Sequence, residues 1–268
     1  MANKNRHAFF ELAGFLFFEY NKGLKGKIMK IRLLSDVHHE FYEDKRLYSN
    51  KGEDVLVIAG DLNVGHVRCW SALKQFADHV PHVVYVPGNH EYYNHSIAEF
   101  DDYMQRFSQG TNVHFLNPGR ITIEGVSFIG AALWTNFGND EFNEFYCSRH
   151  INDFRIIKGF SASKCTQLYN KHAGFIKDQY ETIEGPKVIV THFLPDHACV
   201  APQYRGPDII NHYFANNLGD WIQDLQDTTW LFGHTHDLVD ITIGDTRVIA
   251  NPYGYNRNEH YVEKLIEI

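Results

Sequence analysis

Five short blocks place metal-capable side chains directly behind apolar runs: Asp36-Val37-His38, Gly60-Asp61, Gly88-Asn89-His90-Glu91, Thr191-His192 and Gly233-His234-Thr235-His236. Imidazole, carboxylate and amide donors with no thiolate suit Mn²⁺, Fe, Ni²⁺ or Zn²⁺ better than Ca²⁺ or Mg²⁺. In an extended backbone residues i and i+2 project to the same side, so Asp36 and His38 can grip one ion together. Gly60 lets the backbone approach, and the Asp61 carboxylate can then reach two ions at once. Two imidazoles on one side of a glycine-led turn, His234 and His236, would be costly to bury without a hydrogen-bond or metal partner. With 17 histidines in the chain some near-matches arise by chance, so the weight lies on the set and its order.

These side chains must be carried by the ends of strands. Val84-Tyr85-Val86 is an apolar run stopped by Pro87-Gly88. Proline ends the ladder and glycine allows a tight turn, which puts Asn89 and His90 on a short loop at the carboxyl edge of a sheet. In open α/β sheets such edges carry the sites. Comparable strands are expected at Ile31–Leu34, Asp54–Ala59, Lys187–Val190 and Thr229–Phe232, with helices over about His66–Val80, His95–Phe107, Ala162–Tyr180 and Ala215–Leu225. The β-α-β order implies a largely parallel sheet. Val113–Phe115, Ile121–Ile123 and Val126–Ile129 alternate more and are punctuated by Gly125 and Gly130, which reads as antiparallel strands of a second sheet. Leu238–Ile243 and Thr246–Ala250 form a hairpin around Gly244-Asp245. Residues 131–160 are aromatic and irregular and are expected to form a rim over the site.

At 268 residues and 44% hydrophobic content the chain can bury a large core. We expect one domain over residues 29–268, preceded by an appendage or amphipathic helix in residues 1–28. Its apolar stretch Ala8–Tyr20 is broken by Glu11 and Glu19, is too short to span a bilayer and is followed by no small-residue cleavage site. A net charge of −8 argues against a long nucleic acid partner, which needs clustered Lys and Arg, and leaves a small phosphorylated substrate open. Cys69, Cys147, Cys165 and Cys199 lie far apart, as expected of free thiols in a reducing, cytoplasmic setting.

Taken in order, the five blocks resemble the signature of the calcineurin-like metallophosphoesterase superfamily, from about Met29 to Ile268 and with no ligand replaced. Leu133-Trp134-Thr135, Asn152-Asp153-Phe154-Arg155 and Asn251-Pro252-x-Gly254-Tyr255 are similar to a bacterial and phage branch. That branch would carry arginine where Tyr253 stands and often histidine where Phe193 stands, departures that bear on substrate contacts more than on metal binding.

The resemblance implies an α/β fold of two mixed β-sheets packed face to face and flanked by helices. It also implies two divalent transition-metal ions, Mn²⁺ foremost. Asp36, His38, Asp61 and His236 would hold one ion, and Asp61, Asn89, His192 and His234 the other, with Asp61 bridging. The expected reaction is in-line attack of a metal-bridging hydroxide on a phosphomonoester or phosphodiester, with a small nucleotide-like substrate. His90 would protonate the leaving alkoxide or hold a phosphate oxygen. Arg155, Tyr204 and Arg205 are candidates for gripping substrate. A nuclease, a protein phosphatase and a non-catalytic metal-binding scaffold are the alternatives; the acidic balance counts against the first and the complete ligand set against the last.

Overall fold

The computed structural model describes residues 28–206, 208–255 and 261–268. Residues 1–27, where the amino-terminal helix is expected, lie outside the described residues. Among the described residues eleven strands form two sheets. The first contains β1 (Lys30–Leu34), β2 (Val55–Ala59), β3 (His82–Val86), β4 (Val113–Phe115) and β11 (Leu265–Glu267). The second contains β5 (Gly119–Ile123), β6 (Val126–Ala131), β7 (Lys187–Thr191), β8 (Thr228–Phe232), β9 (Val239–Ile243) and β10 (Thr246–Ala250). The strand orders are β11-β1-β2-β3-β4 and β5-β6-β7-β8-β10-β9. Both sheets are mixed: β11, β5 and β9 are antiparallel to their neighbours and the interior pairings are parallel.

The alternation of side chains along each strand builds the layers. Val55, Val57 and Ala59 of β2 meet Val188, Val190 and Leu231 of the second sheet in one buried cluster, so the two sheets pack face to face. Leu56 and Ile58, pointing the other way, are covered by Leu73 and Phe76 of α1 (His66–Ala77). Phe100 and Met104 of α2 (Ile97–Phe107) join that layer. On the far side Ile189 and Trp230 pack with Ile176 of α4 (Ala162–Thr182). Burial on both faces is why β2 and β7 read as unbroken apolar runs rather than as alternating ones.

Three expectations differ from the structure, and one strand is unanticipated. Val113–Phe115 is a strand of the first sheet, parallel to β3, and not an antiparallel member of the second. Residues 131–160 contain a helix, α3 (Glu141–His150), capped by the Asp140 carboxylate, and a one-turn helix at Asp153–Ile156. No helix runs over 215–225: Ala215 and Asn217 bridge to Leu194 and Asp196, and only Gly219–Ile222 turns helically. The carboxyl-terminal strand β11 closes the edge of the first sheet against β1.

The parallel strands β1, β2, β3, β7 and β8 all deliver their carboxyl ends to one rim. Beyond β10, the backbone of Tyr253 and Gly254 donates to the carbonyls of Ser35 and Asp36 and ties the second sheet to the end of β1. The five metal-capable blocks therefore meet where the two sheets join.

Candidate dinuclear metal centre

Asp36 and His38 follow β1, Asp61 follows β2, Asn89 follows β3, His192 follows β7, and His234 and His236 follow β8. All seven converge. Asp36, His38, Asp61 and His236 bring ligand atoms within 4.8 Å of one another, and so do Asp61, His192 and His234. Asp61 belongs to both groups. Its Oδ2 lies 3.8 Å from His38 Nε2 and its Oδ1 lies 3.5 Å from His192 Nε2.

The turns that make this possible are conformationally costly. Asp36, His38, Asp61, His234 and His236 all have φ between 50° and 67°. That left-handed region is rarely adopted by residues with a Cβ, and its clustering at one spot marks a site whose surroundings enforce it. Gly88 allows the closest approach: a Cβ there would collide with Asp61 Oδ1 and lie 2.7 Å from the Asp61 backbone nitrogen.

Hydrogen bonds fix the imidazole faces. His192 Nδ1 lies 2.9 Å from the Ala59 carbonyl oxygen and must donate to it. In the neutral ring that ligation requires, its Nε2 is then a bare lone pair, 3.1 Å from His234 Nδ1, 3.2 Å from Asn89 Oδ1 and 3.5 Å from Asp61 Oδ1. Lone pairs aimed at one point are tolerable when a cation sits among them. His38 repeats the pattern, with Nδ1 2.9 Å from Glu40 Oε1 and Nε2 3.2 Å from His236 Nε2. Burial lowers the pKa of His234 and His236, which keeps them neutral as ligation requires. Burial opposes ionisation of Asp61, but the surrounding imidazoles of His192, His90 and His38 outweigh it and hold its carboxyl well below the usual range. The donor set fits a pair of divalent ions.

His90 stands beside this cluster. Its Nε2 is 3.9 Å from Asp61 Oδ2 and its Nδ1 is 2.9 Å from Glu40 Oε1. Burial works against protonation of His90, but Asp61 and Glu40 outweigh it and raise the pKa to about 9. Glu40 in turn is drawn down to about 2: burial opposes this, and the hydrogen bonds from His38 and His90 prevail.

Several contributors are not assigned a role by sequence reasoning. Glu40 follows Asp36-Val37-His38 closely, but nothing in its spacing shows that it serves two imidazoles from separate strands. Glu91 is buried and accepts from the backbone nitrogens of Asp61, Leu62 and Gly88 and from the Tyr85 hydroxyl. Asp153 accepts from Tyr93 and Tyr213, and Tyr93 also meets the Asn89 amide. Tyr255 stacks on His38 with centroids 4.3 Å apart.

The three substrate candidates separate. Arg155 is exposed, donates to the Arg149 carbonyl and is not among the residues that line the chamber over the cluster. Tyr204 and Arg205 line a second, larger chamber of about 690 Å³ that reaches His234 and His236. The Arg205 guanidinium is committed to the carbonyls of Val200 and Ala198. Tyr253, where arginine is expected in the resembling branch, donates to Asp44, and Phe193 packs its ring 4.3 Å from that of His234.

Residues 29–238 match the calcineurin-like phosphoesterase family. The chain belongs to that family and is a dinuclear-metal phosphoesterase. An uncharacterized protein of Acanthamoeba polyphaga mimivirus is 28% identical over 199 residues, spanning 66% of this chain and 70% of that protein. Among solved structures the fold resembles the phosphopantetheinyl hydrolase of Mycobacterium tuberculosis, with a TM-score of 0.73, 15% identity and coverage of 91% of this chain and 96% of that one. It also resembles a dimetal phosphatase from Danio rerio, with a TM-score of 0.51, 17% identity and coverage of 90% and 95%.

Proposed function

We propose that the chain hydrolyses a small phosphomonoester or phosphodiester at a centre in which Asp36, His38, Asp61 and His236 hold one ion and Asp61, Asn89, His192 and His234 the other. The observation that carries this reading is the convergence of His192 Nε2, Asn89 Oδ1 and Asp61 Oδ1, with His192 Nδ1 held by the Ala59 carbonyl. Mn²⁺ is the first choice of metal, since the donors are imidazole, carboxylate and amide without thiolate. When bound, two such ions polarise the phosphate and acidify water enough to supply a nucleophile near neutral pH.

The protein side chains do the rest. Asp61 is placed to bridge, and Asp36 is oriented by accepting the His234 backbone N–H through both oxygens, at 2.9 and 3.1 Å. His90 is the proton donor to the leaving oxygen. Glu40 holds its Nδ1, so Nε2 faces the cluster and carries the transferable proton. An alkoxide leaves poorly without a proton, and imidazole supplies one in the right range. The Tyr93 ring lies against His90 in a tilted arrangement, with centroids 4.3 Å apart, and limits its swing.

The chamber beside His234 and His236 is the place for the remainder of the substrate, with Tyr204 at its wall. A nuclease would need a basic track, which a net charge of −8 does not supply. We assign the protein to the cytoplasm as a single domain from residue 29: all four cysteines are free and buried, as suits a reducing compartment, and no helix among the described residues is long and apolar enough to cross a membrane.

The test is a screen of phosphomonoesters, linear and cyclic phosphodiesters and short oligonucleotides with added Mn²⁺, reading phosphate or alcohol release. Release from small esters is expected. Turnover confined to oligonucleotides would replace this reading by a nuclease, and no turnover on any ester would overturn it.

A further inference from the structure

The chamber of about 690 Å³ is far larger than a phosphate group requires and falls in the range of sites that enclose whole small molecules. It shares His234, His236 and Phe214 with the chamber of about 340 Å³ over the metal cluster, so a molecule whose phosphorus sits on the cluster can extend into it. Its wall therefore reads the non-phosphate part of the substrate.

That wall has an apolar floor and a polar, exposed rim. Leu194, Val200, Ala201, Ile210 and Phe214 supply hydrocarbon surface. The Gln203 amide donates to Asp237, and Asn211 donates to the Tyr204 carbonyl. Asp208 accepts the Ile210 backbone N–H, and the Arg205 guanidinium is held by the Val200 and Ala198 carbonyls. Arg205 is the sole cationic side chain among the described lining residues besides the two histidines, while Asp208 adds a negative charge. A polyphosphate or oligonucleotide would find one cation balanced by one anion there, and a guanidinium whose Nε and Nη2 are already engaged. A base and a ribose set against that apolar floor would leave polar atoms without partners.

We propose that the chamber selects phosphoesters of an uncharged, largely apolar alcohol, with the hydrocarbon portion lying along Val200, Ala201 and Phe214. This narrows the phosphoesterase reading above and rests on it. Burial of hydrocarbon against this wall is the recognition energy, so specificity rises with chain length until the space is filled.

The experiment compares kcat/KM of the Mn²⁺-loaded enzyme for ethyl, butyl, hexyl and octyl phosphate and for 5′-AMP. The expected gain is about two- to fourfold per methylene, roughly 10²-fold or more from ethyl to octyl, with octyl phosphate ahead of 5′-AMP. Octylphosphonate should bind more tightly than ethylphosphonate by calorimetry, with a more negative heat-capacity change. Ala201→Phe should flatten the chain-length series. A flat or falling series in the wild-type enzyme, or 5′-AMP ahead of octyl phosphate, would overturn the proposal while leaving the phosphoesterase reading intact. If no ester is hydrolysed the phosphoesterase reading fails, and equal binding of the two phosphonates would then sink the chamber's role on its own.

Discussion

Glu40 Oε1 lies 2.9 Å from His90 Nδ1 and gives that imidazole a carboxylate partner, which it shares with His38. His90 has its pKa raised to about 9 against an ordinary value of about 6.5. A raised folded-state pKa contributes stability that is fully present below about 6.5 and lost as pH rises through about 9. In metal-free protein, Glu40→Gln should therefore lower the melting temperature near pH 6, by at most about 3 kcal/mol equivalent, with the gap closing near pH 10. A gap equal at both pH values in thermal scans would contradict the coupling.

His90→Ala should slow alkyl esters by roughly 10²- to 10⁴-fold and aryl esters with good leaving groups far less, because only the former need the proton. Steady-state kcat/KM on a matched alkyl and aryl pair checks this. Equal losses would remove His90 from the role of acid.

Much of this site is legible in the sequence because each strand that carries it is buried on both faces and ends abruptly in glycine, proline or a polar residue. Asp36, His38, Asp61, Asn89, His192, His234 and His236 are visible in that way, and the structure brings them together. Glu40, Asp153 and Tyr255 are not, since their value lies in contacts between segments remote in the chain, such as Tyr255 on His38. The short strand Val113–Phe115 has too few residues to show which sheet it joins. Helix α3 escaped because its aromatic residues Phe142 and Phe145 face solvent and only Cys147 is buried, so no apolar stripe announces it. Arg155 reads as a phosphate grip by residue type alone, and its actual partner is a backbone carbonyl.

Gly88→Ala tests the crowding around Asp61. The added methyl would collide with Asp61 Oδ1, so the carboxylate must move off its bridging position. Mn²⁺ affinity measured by calorimetry should fall at least tenfold, in the range seen when a ligand's support is lost. Unchanged affinity would show that the bridge tolerates displacement.

Glu91→Ala leaves the buried backbone donors of Asp61, Leu62 and Gly88 without their acceptor. A loss of at least about 3 kcal/mol in urea unfolding is expected, since each of the three orphaned buried donors costs roughly 1–3 kcal/mol. A loss below about 1 kcal/mol would mean that water replaces the carboxylate.

The most direct measurement is anomalous diffraction from crystals grown with Mn²⁺, paired with elemental analysis of the same protein. About two ions per chain are expected, roughly 3.5–4 Å apart with Asp61 between them, and only one or none in Asp61→Ala. Finding no manganese at the ends of β1, β2, β3, β7 and β8, or finding it elsewhere on the chain, would contradict the dinuclear assignment.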